Sequence, residues 1–392
     1  MTTFLEDVPA SVMDEDPYPI FERLRKEAPV AYYPGTDQWF IARWDDNMRV
    51  GTDAENFGPS QWTVAGVGPS VLSASGEQHR WIRKGIDPLL RQRPIHEYAH
   101  QHARPLVASY LDQLAPRGEA ELTSEFFELI SARIVGDVLG LHGIDDETRQ
   151  RWFLAIADWL NQGSIGNVEV SSELTATLDE LDSALEELVA EVTKKPDGTL
   201  LSTMVHAVPD GAAPKTYEEL AGSIRIIIAG GFQEPGHAAA SILYGLLSNP
   251  DQYADLVASD GKLVQAAVHE GLRWLPPFSS TERVTLREVE IGGVVLPKNT
   301  ELCLLIASAN YDESRWENPS RYDLHRPMQA HCSFGFGVHM CAGNALGRQM
   351  EHILLEELPR RLPNLRLNPD REAKTSGFLM RGVKSLSVLW DA

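Results

Sequence analysis

The chain has 392 residues, 43% hydrophobic and 23% charged, with a formal net charge of −21. That suits a large globular protein with a substantial core and disfavours nucleic acid or an anionic membrane as partner. Three cysteines, Cys303, Cys332 and Cys341, make no disulfide framework. No leader-like N-terminus and no long apolar run is present, so the expectation is a cytoplasmic protein without a membrane span.

Length alone would suggest two or three domains, but no low-complexity linker divides the chain. Residues 17–30 carry helical spacing, and 30–33 and 38–42 read as short strands around Pro34-Gly35. Residues 58–76 hold four glycines and two prolines with little periodicity, which predicts a long loop. His79 and Arg83 stand four apart, so a helix sets both on one face. There they either grip a ligand's carboxylates or form a solvated basic surface. Residues 104–200 read as amphipathic scaffold helices with acidic faces, and 194–215 as loops around a short helix.

Residues 217–248 form a long apolar helix with an odd middle: Ile226-Ile227-Ile228-Ala229-Gly230-Gly231-Phe232-Gln233-Glu234-Pro235-Gly236-His237. In a helix interior each glycine costs about 1 kcal/mol and the proline about 3 kcal/mol relative to alanine. Pro235 has no N–H for the carbonyl of Gly231. A kink or bulge is expected, with that carbonyl free for water or ligand. A helix that keeps such residues marks a functional site. Further on, Glu270 and Arg273 form a Glu-x-x-Arg pair, by itself an ordinary surface ion pair. Strands are expected at 289–291 and 294–296 around Gly292-Gly293, at 301–306, and near 365–367, 378–381 and 386–389.

The most informative stretch is Phe334-Gly335-Phe336-Gly337-Val338-His339-Met340-Cys341-Ala342-Gly343, followed at once by a helical pattern. Glycines let backbone approach a flat ligand closely. A helix start beside the sulfur favours thiolate over thiol, and such a thiolate suits an axial haem ligand. A lone inert cysteine is the bland alternative. His331, Cys332, His339 and Cys341 also leave a zinc site open, although zinc has no need of the phenylalanine and glycines. Arg348 belongs either to a basic docking patch or to an ordinary exposed helix face.

These ten residues resemble the cytochrome P450 signature at every fixed position. The resemblance implies a mainly α fold with small β-sheets, forming one P450 domain over residues 1–392. It implies haem b with Cys341 on the iron and cofactor contacts at Phe334, Gly335, His339 and Gly343. By the same resemblance His79, Arg83 and Arg283 hold the propionates. Gly230 would lie on the helix that crosses the oxygen-binding face. Glu270, Arg273 and Arg321 would lock the scaffold behind the cysteine loop. Oxygen is the co-substrate, and electrons would come from an NADH-dependent flavin and iron–sulfur reductase or a ferredoxin.

One departure stands out. The family's usual acid–threonine pair is replaced by Gln233 and Glu234, so Glu234 is the candidate acid/base, and peroxide-driven turnover becomes plausible. The Gln233-to-His237 run, residues 270–274, 308–312 and 322–327 are similar to bacterial aromatic O-demethylases that act on lignin-derived methoxyphenols. The expected pocket comprises Gly66, Leu160, Phe232, Phe278 and Met380. Gly66, Leu160 and Met380 stand where guaiacol demethylase carries phenylalanines, which predicts room for syringol (2,6-dimethoxyphenol). Two alternatives remain open: a P450 hydroxylating an aliphatic natural product such as a terpene, and a non-catalytic haem-binding protein.

Overall fold

A computed structural model describes residues 4–60, 68–163 and 171–392, which fold as two compact units. One comprises residues 1–58, 97–127 and 234–392, the other 59–96 and 128–233. Helices dominate both units. Among the described residues none is long and apolar enough to cross a membrane.

Among the described residues the first unit carries twelve strands: β1 (Val30–Tyr33), β2 (Gln38–Ile41), β3 (Phe57–Gly58), β4 (Glu119–Glu121), β5 (Thr281–Thr285), β6 (Val289–Ile291), β7 (Val294–Leu296), β8 (Glu301–Leu304), β9 (Arg366–Leu367), β10 (Lys374–Ser376), β11 (Gly382–Ser385) and β12 (Ser387–Leu389). Its main sheet runs β1-β2-β8-β5-β3. Strand alternation splits β8 between two cores. Leu302 and Leu304 join Ile41, Trp44, Trp316 and Phe336, whereas Cys303 joins Phe21, Tyr33 and Phe40 under the helix Tyr18–Glu27. The hairpin β6–β7 turns on Gly292 and Gly293, both at positive φ, as the paired glycines predict.

Two expected strands are corrected. The helix Ile306–Ala309 takes over after Leu304, so β8 ends before Ile306. Residues 378–381 are not a strand. Met380 makes a single antiparallel bridge to Phe278, and the hairpin strands are β10 and β11 on either side. β4 was not foreseen. Its three residues carry no apolar alternation, and they are strand only because β12 pairs with them.

The second unit is helical: Gly76–Ile86, Glu128–Leu139, Asp146–Gly163, Ser172–Lys194 and Leu200–His206, with the beginning of the long helix Tyr217–Leu247. The acidic helix Ser172–Lys194 buries Leu174, Leu181, Leu185, Val189 and Val192, while Glu180 on its outer side pairs with Arg151 at 2.6 Å.

Candidate active site

Glycine makes the cysteine turn possible. Gly335 (φ 73°) and Gly337 (φ 54°) hold left-handed backbone that other residues resist. At Gly337 a Cβ would also lie 2.9 Å from the Gly51 carbonyl oxygen. Gly335 N–H donates to the Cys332 carbonyl and Cys341 N–H to the Phe334 carbonyl, each at 2.8 Å. Phe336 anchors the turn: it is buried against Gly51, where a Cβ would fall 2.4 Å from its ring. His339 closes the short 3-10 segment Gly337–His339, and the helix Asn344–Arg361 begins directly after Gly343.

The three thiols are placed differently. Cys303 and Cys332 are buried, burial pushes both thiols well up, and Cys332 Sγ lies 3.1 Å from Asn310 Oδ1. Cys341 is exposed beside the helix start, and a Cβ on Gly343 would stand 3.7 Å from its sulfur. The turn therefore offers one soft sulfur donor next to a positive helix end, which fits an axial haem ligand. Zinc does not fit. Among the described residues no cluster of three or more His, Cys, Asp or Glu side chains is placed to hold a metal ion, and His331 Nε2 faces Arg348 Nη2 at 3.0 Å. Arg348 is thereby neither a free patch residue nor an ordinary surface one. Its guanidinium lies 4.9 Å from the Phe334 ring centroid and also donates to Asn344 at 2.9 Å.

His79 and Arg83 share the helix Gly76–Ile86. His79 is buried, and burial together with Arg83 holds its pKa down, so the ring is a neutral donor at neutral pH. Arg83 pairs with Asp87 at 2.5 Å. Arg283, in β5, is only 8% exposed and donates to the Glu282 carbonyl at 2.7 Å.

The long helix is continuous through Pro235. The sequence expectation of a free Gly231 carbonyl is corrected: the Ser131 hydroxyl donates to it at 3.0 Å. Ser131 sits in the helix Glu128–Leu139, fully buried, and that helix comes so close that a Cβ on Gly231 would fall 2.6 Å from Val135 Cγ1. A neighbouring side chain thus replaces the hydrogen bond that proline removes. Gly230 is half-buried and Phe232 wholly buried.

Gln233 is 6% exposed, and its Oε1 is buried without a hydrogen-bond partner. Glu234 Oε2 is likewise buried and unpartnered, and burial pushes this carboxyl up to about 8. An uncompensated buried carboxylate is so costly that the group holds its proton at neutral pH. In the tentative pocket, Phe278 is half-buried and Met380 buried, bridged through their backbones. Gly66 and the Leu160 side chain lie outside the described residues.

Behind the cysteine turn the Glu-x-x-Arg pair is no surface pair. Arg273 Nε and Nη2 donate to both oxygens of Glu270 at 2.8 and 2.7 Å, with Arg273 1% exposed. Arg273 Nη1 also donates to the carbonyls of Asn310 (3.0 Å) and Pro319 (2.8 Å). The third member is Arg326, not Arg321. Arg326 Nε reaches Glu270 Oε1 at 3.1 Å, whereas the exposed Arg321 offers only its backbone carbonyl, which Arg326 and Arg273 both reach. Arg326 is fixed there by its bonds to Glu270 and to the carbonyls of Glu317, Asn318 and Arg321, which the spacing alone did not show.

A family model for cytochrome P450 matches residues 171–381, more than half of the chain, and the chain belongs to that family. It is 28% identical to "Cytochrome P450 107B1" of Saccharopolyspora erythraea, covering 95% of both chains. It is 29% identical to the steroid C26-monooxygenase of Mycobacterium tuberculosis over 82% of this chain and 86% of that one. In fold it is similar to the solved structure of the Bacillus subtilis polyketide-synthase cytochrome P450 PksS, with a TM-score of 0.86, full coverage of both chains and 22% identity. The chain is therefore a haem-thiolate monooxygenase. Haem b supplies the activation of oxygen, and a redox partner supplies the electrons. Cys341, exposed beside a helix start, is the candidate for the thiolate that such a haem takes.

Proposed function

We propose that the 392 residues act as one P450 domain that O-demethylates a small methoxylated phenol, with syringol favoured over guaiacol. The methyl carbon is oxidised to a hemiacetal, which collapses to a phenol and formaldehyde. In sum, ArOCH3, O2, NADH and H+ give ArOH, HCHO, H2O and NAD+. The observation that carries this reading is the Glu234 carboxyl, its Oε2 buried without a partner and its pKa raised by that burial, where the family's threonine stands, with Gln233 beside it. Gln233 orients groups by its amide, and Glu234 gives and recovers a proton at its carboxyl. The non-aromatic Met380 next to Phe278 supports room for a second methoxy group. The electron donor in this reading is an NADH-dependent flavin and iron–sulfur reductase or a ferredoxin.

The test is a spectral titration of methoxyphenols for the low-to-high-spin shift. Syringol is expected to give the larger shift. Tight guaiacol binding with no syringol shift would reverse the size order. Added peroxide without reductase should also yield product, and none at any concentration removes that side activity.

The relatives' names favour a second reading, a hydroxylase of a larger aliphatic substrate, since one of them is a steroid monooxygenase. A spin shift with a steroid and none with any methoxyphenol would select it.

A further inference from the structure

His237 is three residues after Glu234 on the long helix, so both side chains lie on neighbouring positions of one face. His237 is 3% exposed. It packs against β11 at Gly382, where a Cβ would stand 3.1 Å from the histidine Cβ and 3.4 Å from Nδ1. The bare glycine therefore lets the Nδ1 edge of the ring lie against the strand. Lys384 is two residues further along β11, the residue skipped where the register with β10 shifts between Val383 and Ser385, and its positive charge reaches the His237 ring. Lys384 is exposed, and its Nζ donates to the Met380 carbonyl at 3.2 Å. An exposed Lys384, a buried His237 and a Glu234 with its Oε2 buried thus stand in series: Lys384 acts on His237 through its charge, and His237 is one helical turn from Glu234.

On the reading of Glu234 as the acid, we propose that His237 is the positioning residue through which that carboxyl is reprotonated from the Lys384 side. A proton enters the imidazole at one ring nitrogen as another leaves from the other nitrogen to the Glu234 carboxylate. The ring is neutral before and after, Glu234 returns to the acid form, and solvent water replaces the proton that Lys384 passes on. Burial and the Lys384 charge hold His237 down to about 3, so it does not stay charged at neutral pH. A negative Glu234 beside it offsets part of that penalty, which makes the ion pair a short-lived stage rather than a resting state.

The test reads the proton itself. In the full-length holoprotein, the C=O stretch of a protonated carboxyl is followed by infrared difference spectroscopy after mixing into D2O. E234Q identifies the band by removing it. H237F should keep the band and slow its exchange about tenfold or more. H237N, a smaller change, guards against a folding defect, and K384M should slow exchange less. If E234Q removes no band, Glu234 is not a protonated acid and the underlying reading falls. If the band is present and exchanges at the wild-type rate in both H237F and H237N, the relay through His237 is overturned.

Discussion

The cysteine turn and the broken stretch of the long helix hold their chemistry in opposite ways. In the turn the backbone does the work. Gly335 and Gly337 take left-handed dihedrals that most residues resist, local N–H groups close the loop, and the cysteine side chain stays exposed. At residues 231–237 the backbone is continuous helix in spite of Pro235. The chemistry resides in buried side chains, and the missing hydrogen bond is made good by Ser131 from another helix. The turn is closed by residues close in sequence and anchored at Gly51, whereas the helix depends on Ser131, a hundred residues away.

That contrast can be broken at either end. The largest effect is expected from C341A, which should abolish the carbon monoxide band of sulfur-ligated haem while leaving the helical fold intact by circular dichroism. A variant that keeps the band would show that another ligand holds the iron. Next comes the ion-pair network behind the turn. R273A leaves Glu270 buried without its closest partner and should cost about 3–5 kcal/mol in urea unfolding. R326A should cost about 1–3 kcal/mol, and the exposed R321A should stay within about 0.5 kcal/mol. Equal losses from R326A and R321A would contradict the observed triad.

Glu234 sets a pH dependence of definite sign. Its folded-state pKa of about 8 lies above the ordinary 4.5, so the wild type loses stability as pH rises through that window. E234Q has no such proton to lose. Between pH 5 and pH 8 the wild type should therefore fall relative to E234Q by on the order of 3 kcal/mol, measured by urea unfolding. A pH-independent difference would mean that the carboxyl is already charged. A comparably modest effect is expected from S131A, which strands the Gly231 carbonyl and should cost about 1–2 kcal/mol.

The same contrast explains what the sequence could and could not reveal. The turn, the helix after it, the hairpin at Gly292-Gly293 and the helix carrying His79 and Arg83 rest on local rules, and all were legible. Glu234 was legible as a departure from the family's acid–threonine pair, beside the costly Pro235 inside the helix. Its partners were not. Ser131 lies in an unremarkable apolar helix, and its role arises only where that helix crosses Gly231. Arg326 and Arg321 are the same residue type, and only contacts made in the fold separate the partner of Glu270 from the exposed one. Gly382 and Lys384 acquire meaning from the imidazole packed against them. Local backbone chemistry is written in place, whereas the choice of a side-chain partner is settled by packing.

The most direct test of the account is the product made from syringol by the holoprotein with a redox partner and NADH. The prediction is one formaldehyde and one demethylated phenol for each substrate consumed. A hydroxylated product that keeps both methyl groups, with no formaldehyde released, would contradict it.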